Sequence, residues 1–399
     1  MKSVVYVSYN GALEPLGRSQ VLAYLRPLAA RGFDLALITF EKPEDLADEA
    51  RVRATADDLA AAGIAWTFCR YRRSLAGKLL NLVEGIWRAW RVARSRRAVL
   101  FHARSHVAGA MALVARAMHG GRLLFDLRGE LAEEYADSGH WRRGSLLYRA
   151  TRGLERLLLA RCDGLVVLTE RLARRVPPRA GRFIEVIPCC VDRRVFAPEG
   201  AASPDALRDL AGRPILIYSG SVGTWYLLDE MFALFRAALR ECENLHFLLL
   251  SRSEHERIAA SASAAGLSRN LWSVVAETYE RVPSYLRASR AGIALILPAP
   301  SKQGSSPTKV AEYLACGLPV IVNSGVGDLE DFVEQEGVGV VLRSFDAPEL
   351  ERGARFIASA VADPGPLRRR CLAVAERLFD LEAVGVARYG ALYERLGAR

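Results

Sequence analysis

The chain has 399 residues, 51% apolar and 25% charged, with 55 Lys and Arg against 45 Asp and Glu. That length exceeds one ordinary core and suits two domains of roughly 200 residues each, and the apolar share excludes a disordered chain. The net charge of +10 is uneven: residues 1–200 hold 33 basic and 21 acidic side chains, and residues 201–399 hold 22 and 24.

The opening residues Met1–Ser8 are too short an apolar run for a signal peptide and read as a first strand, Val4–Ser8. No uncharged apolar run reaches about 18 residues, so no conventional spanning helix is expected, and the protein is expected to stay in the cytosol. A loop over Asn10–Gln20 carries Gly17 and Arg18 and opens onto a helix predicted at Ser19–Arg31. Doubly wound sheets bind ligands where such loops leave a strand. Gly17 permits a close backbone approach, and the helix start at Ser19 offers anion donors.

Leu35–Phe40 reads as the next strand. Residues 70–97 then hold nine basic side chains and one acid, Glu84. Within them Leu79, Leu82, Val83, Ile86, Trp87 and Trp90 fall at helical spacing. A basic amphipathic helix with Trp suits an anionic membrane surface; the alternative is a stripe packed on the sheet with solvated arginines. No nucleic-acid-binding module accompanies the charge, so no nucleic acid partner is expected.

Strands at Val99–His102, Leu123–Asp126 and Gly164–Leu168 continue the series. The first ends near Arg104 and His106, candidates for sugar hydroxyls; no Glu partners His106 as a metal pair would need. The second ends in Asp126-Leu-Arg128-Gly129. Arg128 can grip a phosphate or hydroxyl in bidentate fashion, and Asp126 can orient it or accept a hydroxyl proton. A second basic helix is expected between Trp141 and Leu159. Seven scattered cysteines without a Cys-x-x-Cys pair read as reduced structural thiols, not as a zinc site.

Pro198, Gly200, Ser203, Pro204, Gly212 and Pro214 place a linker near 195–213, giving domains at 1–197 and 198–375 and a terminal helix at 376–399. The second domain repeats the alternation, with strands at Ile215–Ser219, Leu245–Leu250, Gly292–Leu297 and Val320–Val322. The fold class is therefore α/β with doubly wound parallel sheets. After its first strand, a glycine loop presents Ser221, Gly223 and Thr224; Arg252 follows the second strand.

Residues 305–321 are the most informative. Ser306 suits an N-cap, Pro307 the first helical position, and Thr308, Lys309 and Glu312 lie in the first turns. Lys309 and Glu312 share a face. Anion donors, a cation and a carboxylate able to accept two vicinal hydroxyl protons together meet the needs of a nucleoside diphosphate sugar. Asp328 reads as the cap of the next helix. No Ser-His-Asp order, Walker loop, dinucleotide fingerprint or zinc spacing emerges.

This segment resembles the nucleotide-sugar site of the family 4 retaining glycosyltransferases (glycosyl transferases group 1), which have two Rossmann-like domains facing a cleft, the GT-B architecture. In that family the carboxylate at the position of Glu312 holds the ribose. A second Glu eight residues earlier usually contacts the sugar, but this chain has Gly304 there. It is closer to members carrying Ser-Pro-Thr-Lys, with sugar contacts from main-chain groups around residues 303–306. Asp126–Gly129 is similar to the family's Asp-x-Arg-Gly pattern, and Ser219–Tyr226 to a variant of its diphosphate loop. The Arg and Lys usual in that loop are missing, and Lys309 and Arg252 stand as replacements.

The resemblance implies a retaining, metal-independent transferase without a cofactor, moving a hexosyl or N-acetylhexosaminyl group from a nucleoside diphosphate sugar. The expected acceptor is a hydroxyl of a lipid-linked or cell-envelope saccharide at the inner face of the cytoplasmic membrane. Asp126, Arg128 and Glu312 are then catalytic, Gly17, Arg18 and His106 meet the acceptor or phosphates, and the terminal helix returns to the first domain. Two rivals share the fold: a nucleotide-sugar epimerase, and a non-catalytic binder of nucleotide sugars at the membrane.

Overall fold

Val4, Val5 and Val7 of β1 (Ser3–Ser8) are fully buried, so both faces of this strand are covered, as parallel sheets require. The computed structural model describes residues 2–200 and 204–398. By its contacts the chain divides into Met1–Pro188 with Leu381–Arg399, and Cys189–Asp380. The first crossing thus lies before the 197/198 position expected from Pro and Gly content. Val191 pairs with Asp380, and its N–H donates to Phe379 O at 2.8 Å, so Val191 already belongs to the second unit.

The first domain adds β2 (Asp34–Glu41), β3 (Ile64–Arg70), β4 (Leu100–Arg104), β5 (Arg122–Leu127), β6 (Gly164–Val167) and β7 (Phe183–Val186). All are parallel, in the order β3-β2-β1-β4-β5-β6-β7. The order reverses between β1 and β4. Register aligns Ser8 with Arg104 and Arg104 with Asp126, so these three reach the carboxyl edge side by side.

The helices Leu75–Arg96, Ser105–His119 and Leu146–Arg161 pack in a row on one face. The first buries Gly77, Asn81, Gly85, Ala89 and Ala93, a stripe of small residues. Of the apolar stripe read as facing a membrane or, alternatively, as packed on the sheet, Leu82, Ile86 and Trp90 touch the core, whereas Leu79, Val83 and Trp87 face outward. The helix expected from Ser19 instead begins at Pro15, passes through a π turn at Arg18–Leu22 and continues as Ala23–Ala30. Ser19 therefore opens no helix, and its hydroxyl donates to Pro15 O at 3.0 Å.

In the second domain β8 (Ile215–Ser219), β9 (His246–Leu250), β10 (Trp272–Val275), β11 (Ala291–Ala294), β12 (Val320–Asn323) and β13 (Gly339–Leu342) form a parallel sheet. Its order, β10-β9-β8-β11-β12-β13, reverses between β8 and β11. The terminal helix expected at 376–399 is broken: Pro364–Phe379 ends at Asp380, and a π turn at Leu381–Val386 leads into Ala387–Arg395. The latter buries Tyr389 and Tyr393 within the first domain. Among the described residues no helix is long and apolar enough to cross a membrane, and all seven cysteines are free.

Gly292 of β11 lets the Tyr313 ring lie flat on the strand, since a Cβ there would stand 2.3 Å from Tyr313 Cδ2. The ring cannot retreat easily, because its hydroxyl accepts the Ser219 N–H at 2.8 Å. Gly292→Ala should therefore destabilise the protein by about 1–3 kcal/mol through overpacking. Urea unfolding checks this, and an unchanged midpoint would contradict it.

Candidate functional site

At the switch point of the second sheet, the loop after β8 and the Thr308–Ala315 helix come together. Gly220 has φ +129, and a Cβ there would lie 3.0 Å from Lys309 Nζ. The backbone conformation calls for glycine there, and the Lys309 ammonium lies against the space a side chain would take. The loop is then strapped to the segment after β11: Leu227 N–H donates to Leu295 O at 3.1 Å, and Leu297 N–H to Trp225 O at 2.8 Å. This places the rings of Tyr218 and Tyr226 against the helix start.

Lys309 sits between those rings, its Nζ 4.0 Å from the Tyr218 centroid and 3.7 Å from that of Tyr226. It is 8% exposed, and its ammonium has no hydrogen-bond partner among the described residues. Burial pushes its pKa well below the usual lysine range, opposed by neighbouring Glu312. Glu312 is 6% exposed and accepts a hydrogen bond from Tyr279 OH at 3.2 Å. Burial raises its carboxyl to about 7, while the Tyr279 hydroxyl and Lys309 pull it down. A second buried lysine, Lys302, lies 3.7 Å over the Trp225 ring, within the short helical turn Pro300–Gly304.

The N-cap of the Thr308–Ala315 helix is Pro307, which makes no side-chain cap bond. Ser306, expected to do so, stands one residue too early; its hydroxyl accepts the Cys189 N–H at 3.1 Å instead. The helix start, whose first N–H groups lack intrahelical partners, lies beside Lys302, Lys309 and the Glu312 carboxylate. Ser221 and Thr224 are exposed in the loop and Gly223 is half-buried; Arg252 is exposed at the end of β9. Asp328 is the N-cap of the Leu329–Glu336 helix but makes no side-chain cap bond.

The carboxyl edge of the first domain carries a different cluster. Asp126 is fully buried, 3.5 Å from both Arg104 and Arg128, and accepts from Tyr389 OH at 3.0 Å. Burial opposes its ionisation, but Arg128, the His102 ring and Arg104 together hold the carboxyl below the usual range. Arg128 reaches Gln20 Oε1 at 3.3 Å. Two guanidiniums thus share one enclosed carboxylate. Asp126 has no exposed oxygen to receive a hydroxyl, so it can act only by orienting Arg128.

Three expected first-domain residues are placed otherwise than the loop reading requires. Gly17 is buried within a helical turn, and a Cβ there would meet Gly11 O at 1.9 Å; the close approach is by the chain itself. Arg18 is exposed on that turn. His106 is 1% exposed, with Nε2 2.9 Å from Glu155 Oε2 and its ring edge-on to Phe125. Burial leaves it no exposed nitrogen to meet an acceptor, so it leaves the acceptor site.

The loop's N–H groups are also engaged: Ala12 and Leu13 donate to the buried carboxylate of Glu41 at 2.7 and 3.2 Å. Glu41, Lys302 and Tyr279 were not expected, because nothing in their immediate neighbourhood marks them. Among the described residues no group of three or more His, Cys, Asp or Glu is placed to hold a metal ion.

A family model described as a glycosyl transferase 4-like domain matches residues 17–190, and one described as glycosyl transferases group 1 matches residues 213–359. No curated protein matches the chain by sequence. Among solved structures, sucrose-phosphate synthase from Thermosynechococcus elongatus is 19% identical with a TM-score of 0.74, over 100% of both chains. HepE from Anabaena, in complex with UDP and glucose, is 15% identical with a TM-score of 0.70, over 98% of this chain and 99% of that one. A structure titled trehalose-6-phosphate from E. coli, bound with UDP-2-fluoro glucose, is 12% identical with a TM-score of 0.69, over 99% of each chain. At these identities the likeness is one of fold.

Glu312 titrates near 7 when folded against an ordinary 4.5. The folded protein then keeps a proton that the unfolded chain has released, so stability falls as pH rises from about 4.5 to about 7. The difference reaches about 3 kcal/mol once the group is ionised. Glu312→Gln should remove this decline, as read from urea midpoints across that range; an equal decline in the variant would refute the assignment.

Proposed function

The chain belongs to the group 1 glycosyltransferases, with a first domain of the glycosyl transferase 4-like type, and we propose that it moves a hexosyl or N-acetylhexosaminyl group from a nucleoside diphosphate sugar to a saccharide hydroxyl. The observation that carries this reading is the Lys309–Glu312 pair: a buried ammonium without a hydrogen-bond partner among the described residues, one helical turn from a carboxylate, at the start of the Thr308–Ala315 helix. The diphosphate takes Lys309, Lys302 and the helix N–H groups; Glu312 accepts the two ribose hydroxyls. Structures related in fold carry UDP, glucose and UDP-2-fluoro glucose, which supports a nucleotide sugar as donor.

As the glycosidic bond breaks, negative charge grows on the leaving diphosphate. Lys302, Lys309 and the helix start stabilise that charge most when it is fully developed, which is the form of help that raises turnover. Retention follows if the acceptor attacks from the face the diphosphate leaves, with a phosphate oxygen taking the hydroxyl proton. No metal is then needed, because the protein supplies the cations. Arg128, held by Asp126 and Gln20, positions the acceptor. Gly304 takes the place of a sugar-contacting carboxylate, so main-chain groups around residues 303–306 hold the sugar. We assign the acceptor to a lipid-linked or cell-envelope saccharide at an anionic membrane on the cytoplasmic side, given the basic first domain.

A panel of nucleoside diphosphate sugars should contain one that raises the melting temperature, since about 2.7 kcal/mol is gained at about 100 times Kd. With that donor, Glu312→Ala should lose roughly 100-fold or more in kcat/KM, the scale of a lost site group; wild-type turnover in the variant would end the proposal. Arg128→Gln should lower kcat/KM for the acceptor by a similar factor and leave donor-induced stabilisation intact. Unchanged acceptor kinetics would remove Arg128 from the site.

A further inference from the structure

The Leu75–Arg96 helix sets Leu82, Ile86 and Trp90 against the core but leaves a second row of large apolar side chains outside. Its buried stripe, Gly77, Asn81, Gly85, Ala89 and Ala93, is made of small or polar residues. Its opposite face carries Leu75, Leu79, Val83 and Trp87, also four apart, with exposures of 80%, 61%, 63% and 43%. Leu80 beside them is 56% exposed. Rotation cannot bury these side chains. A Cβ at Gly77 would stand 2.5 Å from Arg72 Cβ, and one at Gly85 would stand 2.4 Å from Met111 Sδ. Asn81 is pinned as well, donating to Tyr9 OH and Arg72 O, both at 3.1 Å.

The Leu146–Arg161 helix, on the same face of the sheet, begins with Leu146 at 86% and Leu147 at 55% exposure. Both helices run back from the carboxyl edge of the sheet, because each precedes a parallel strand. Their apolar starts therefore project at the edge that carries Arg128.

We infer that this outward apolar face inserts into an anionic lipid surface. The inference rests on the proposed membrane acceptor and deepens it: attachment is by apolar insertion, with the arginines as its rim. The rim is basic in excess: Arg73 pairs with Glu44 and Arg96 with Asp34, but nine basic side chains over residues 70–97 face a single acid within that segment. Trp87 lies 5.1 Å from each of the Arg88 and Arg91 guanidiniums. The one acid of the segment, Glu84, is taken up by Arg72 at 2.8 Å and Arg88 at 3.7 Å. Tryptophan beside arginine on an apolar face matches the boundary between headgroups and acyl chains. A second copy of the chain fits less well, since a two-fold contact would set this basic rim against itself. Insertion here brings a membrane-borne acceptor to the sheet edge where Arg128 waits.

The test is flotation with vesicles of phosphatidylglycerol and phosphatidylcholine, comparing wild type with Leu75→Gln/Leu79→Gln/Val83→Gln. The three positions are exposed, so circular dichroism should show an unchanged fold. Wild type should float and remain largely bound at about 0.5 M salt, where charge attraction is screened. The triple variant should lose binding by about tenfold or more, as expected when several inserted side chains become polar. Equal flotation of both proteins overturns the inference. So does a wild-type dimer, seen by sedimentation, that the variant disperses while neither binds vesicles. Donor-induced stabilisation measured without vesicles reads the donor site separately; its absence counts against that site and leaves the flotation result standing.

Discussion

One buried ammonium organises the second domain. Lys309 is enclosed by Tyr218 and Tyr226 and makes no hydrogen bond among the described residues. An ion removed from water loses several kcal/mol of solvation, and two aromatic faces return only part of that. The glycine at position 220, the strapped loop and the start of the Thr308–Ala315 helix all meet around this group. Glu312 carries the complementary strain, since its carboxyl resists ionisation until hydrogen-bond donors arrive. An anion next to two vicinal hydroxyls relieves both groups at once.

The two domains show how one fold yields an open site and a closed one. Each has a glycine-containing loop after its first central strand, at the reversal of strand order. In the first domain the N–H groups of Ala12 and Leu13 already bind a carboxylate, that of Glu41, so the loop is closed by an anion of the protein itself. In the second, the matching loop faces cations. Function thus lies in a few side chains set on a shared frame. The first domain instead sets Arg128 at its carboxyl edge beside Asp126, and carries an outer helical face with large apolar residues.

What the sequence made legible was local. Lys309 and Glu312 share a helical turn, so their common face was readable from spacing alone. Ile215–Ser219 appeared as a strand with the observed bounds because a compact apolar run is followed by a glycine loop. What escaped depends on partners distant along the chain. His106 looked available until Glu155 was found beside it, and Gly17 looked like a ligand contact until Gly11 was found against it. The Leu75–Arg96 helix was legible only in part for a related reason: small residues give almost no hydrophobic signal, so the six large apolar residues read as one stripe divide between the core and the outer face. The break at Asp380 was equally hidden, because both flanking segments are good helix formers.

The most direct measurement is a crystal structure of the protein with a bound nucleoside diphosphate sugar. The account predicts a phosphate oxygen about 2.7–2.9 Å from Lys309 Nζ, with both ribose hydroxyls donating to Glu312. A nucleotide bound elsewhere, with Lys309 still packed on Tyr218 and Tyr226 and Glu312 still holding only Tyr279, would contradict it.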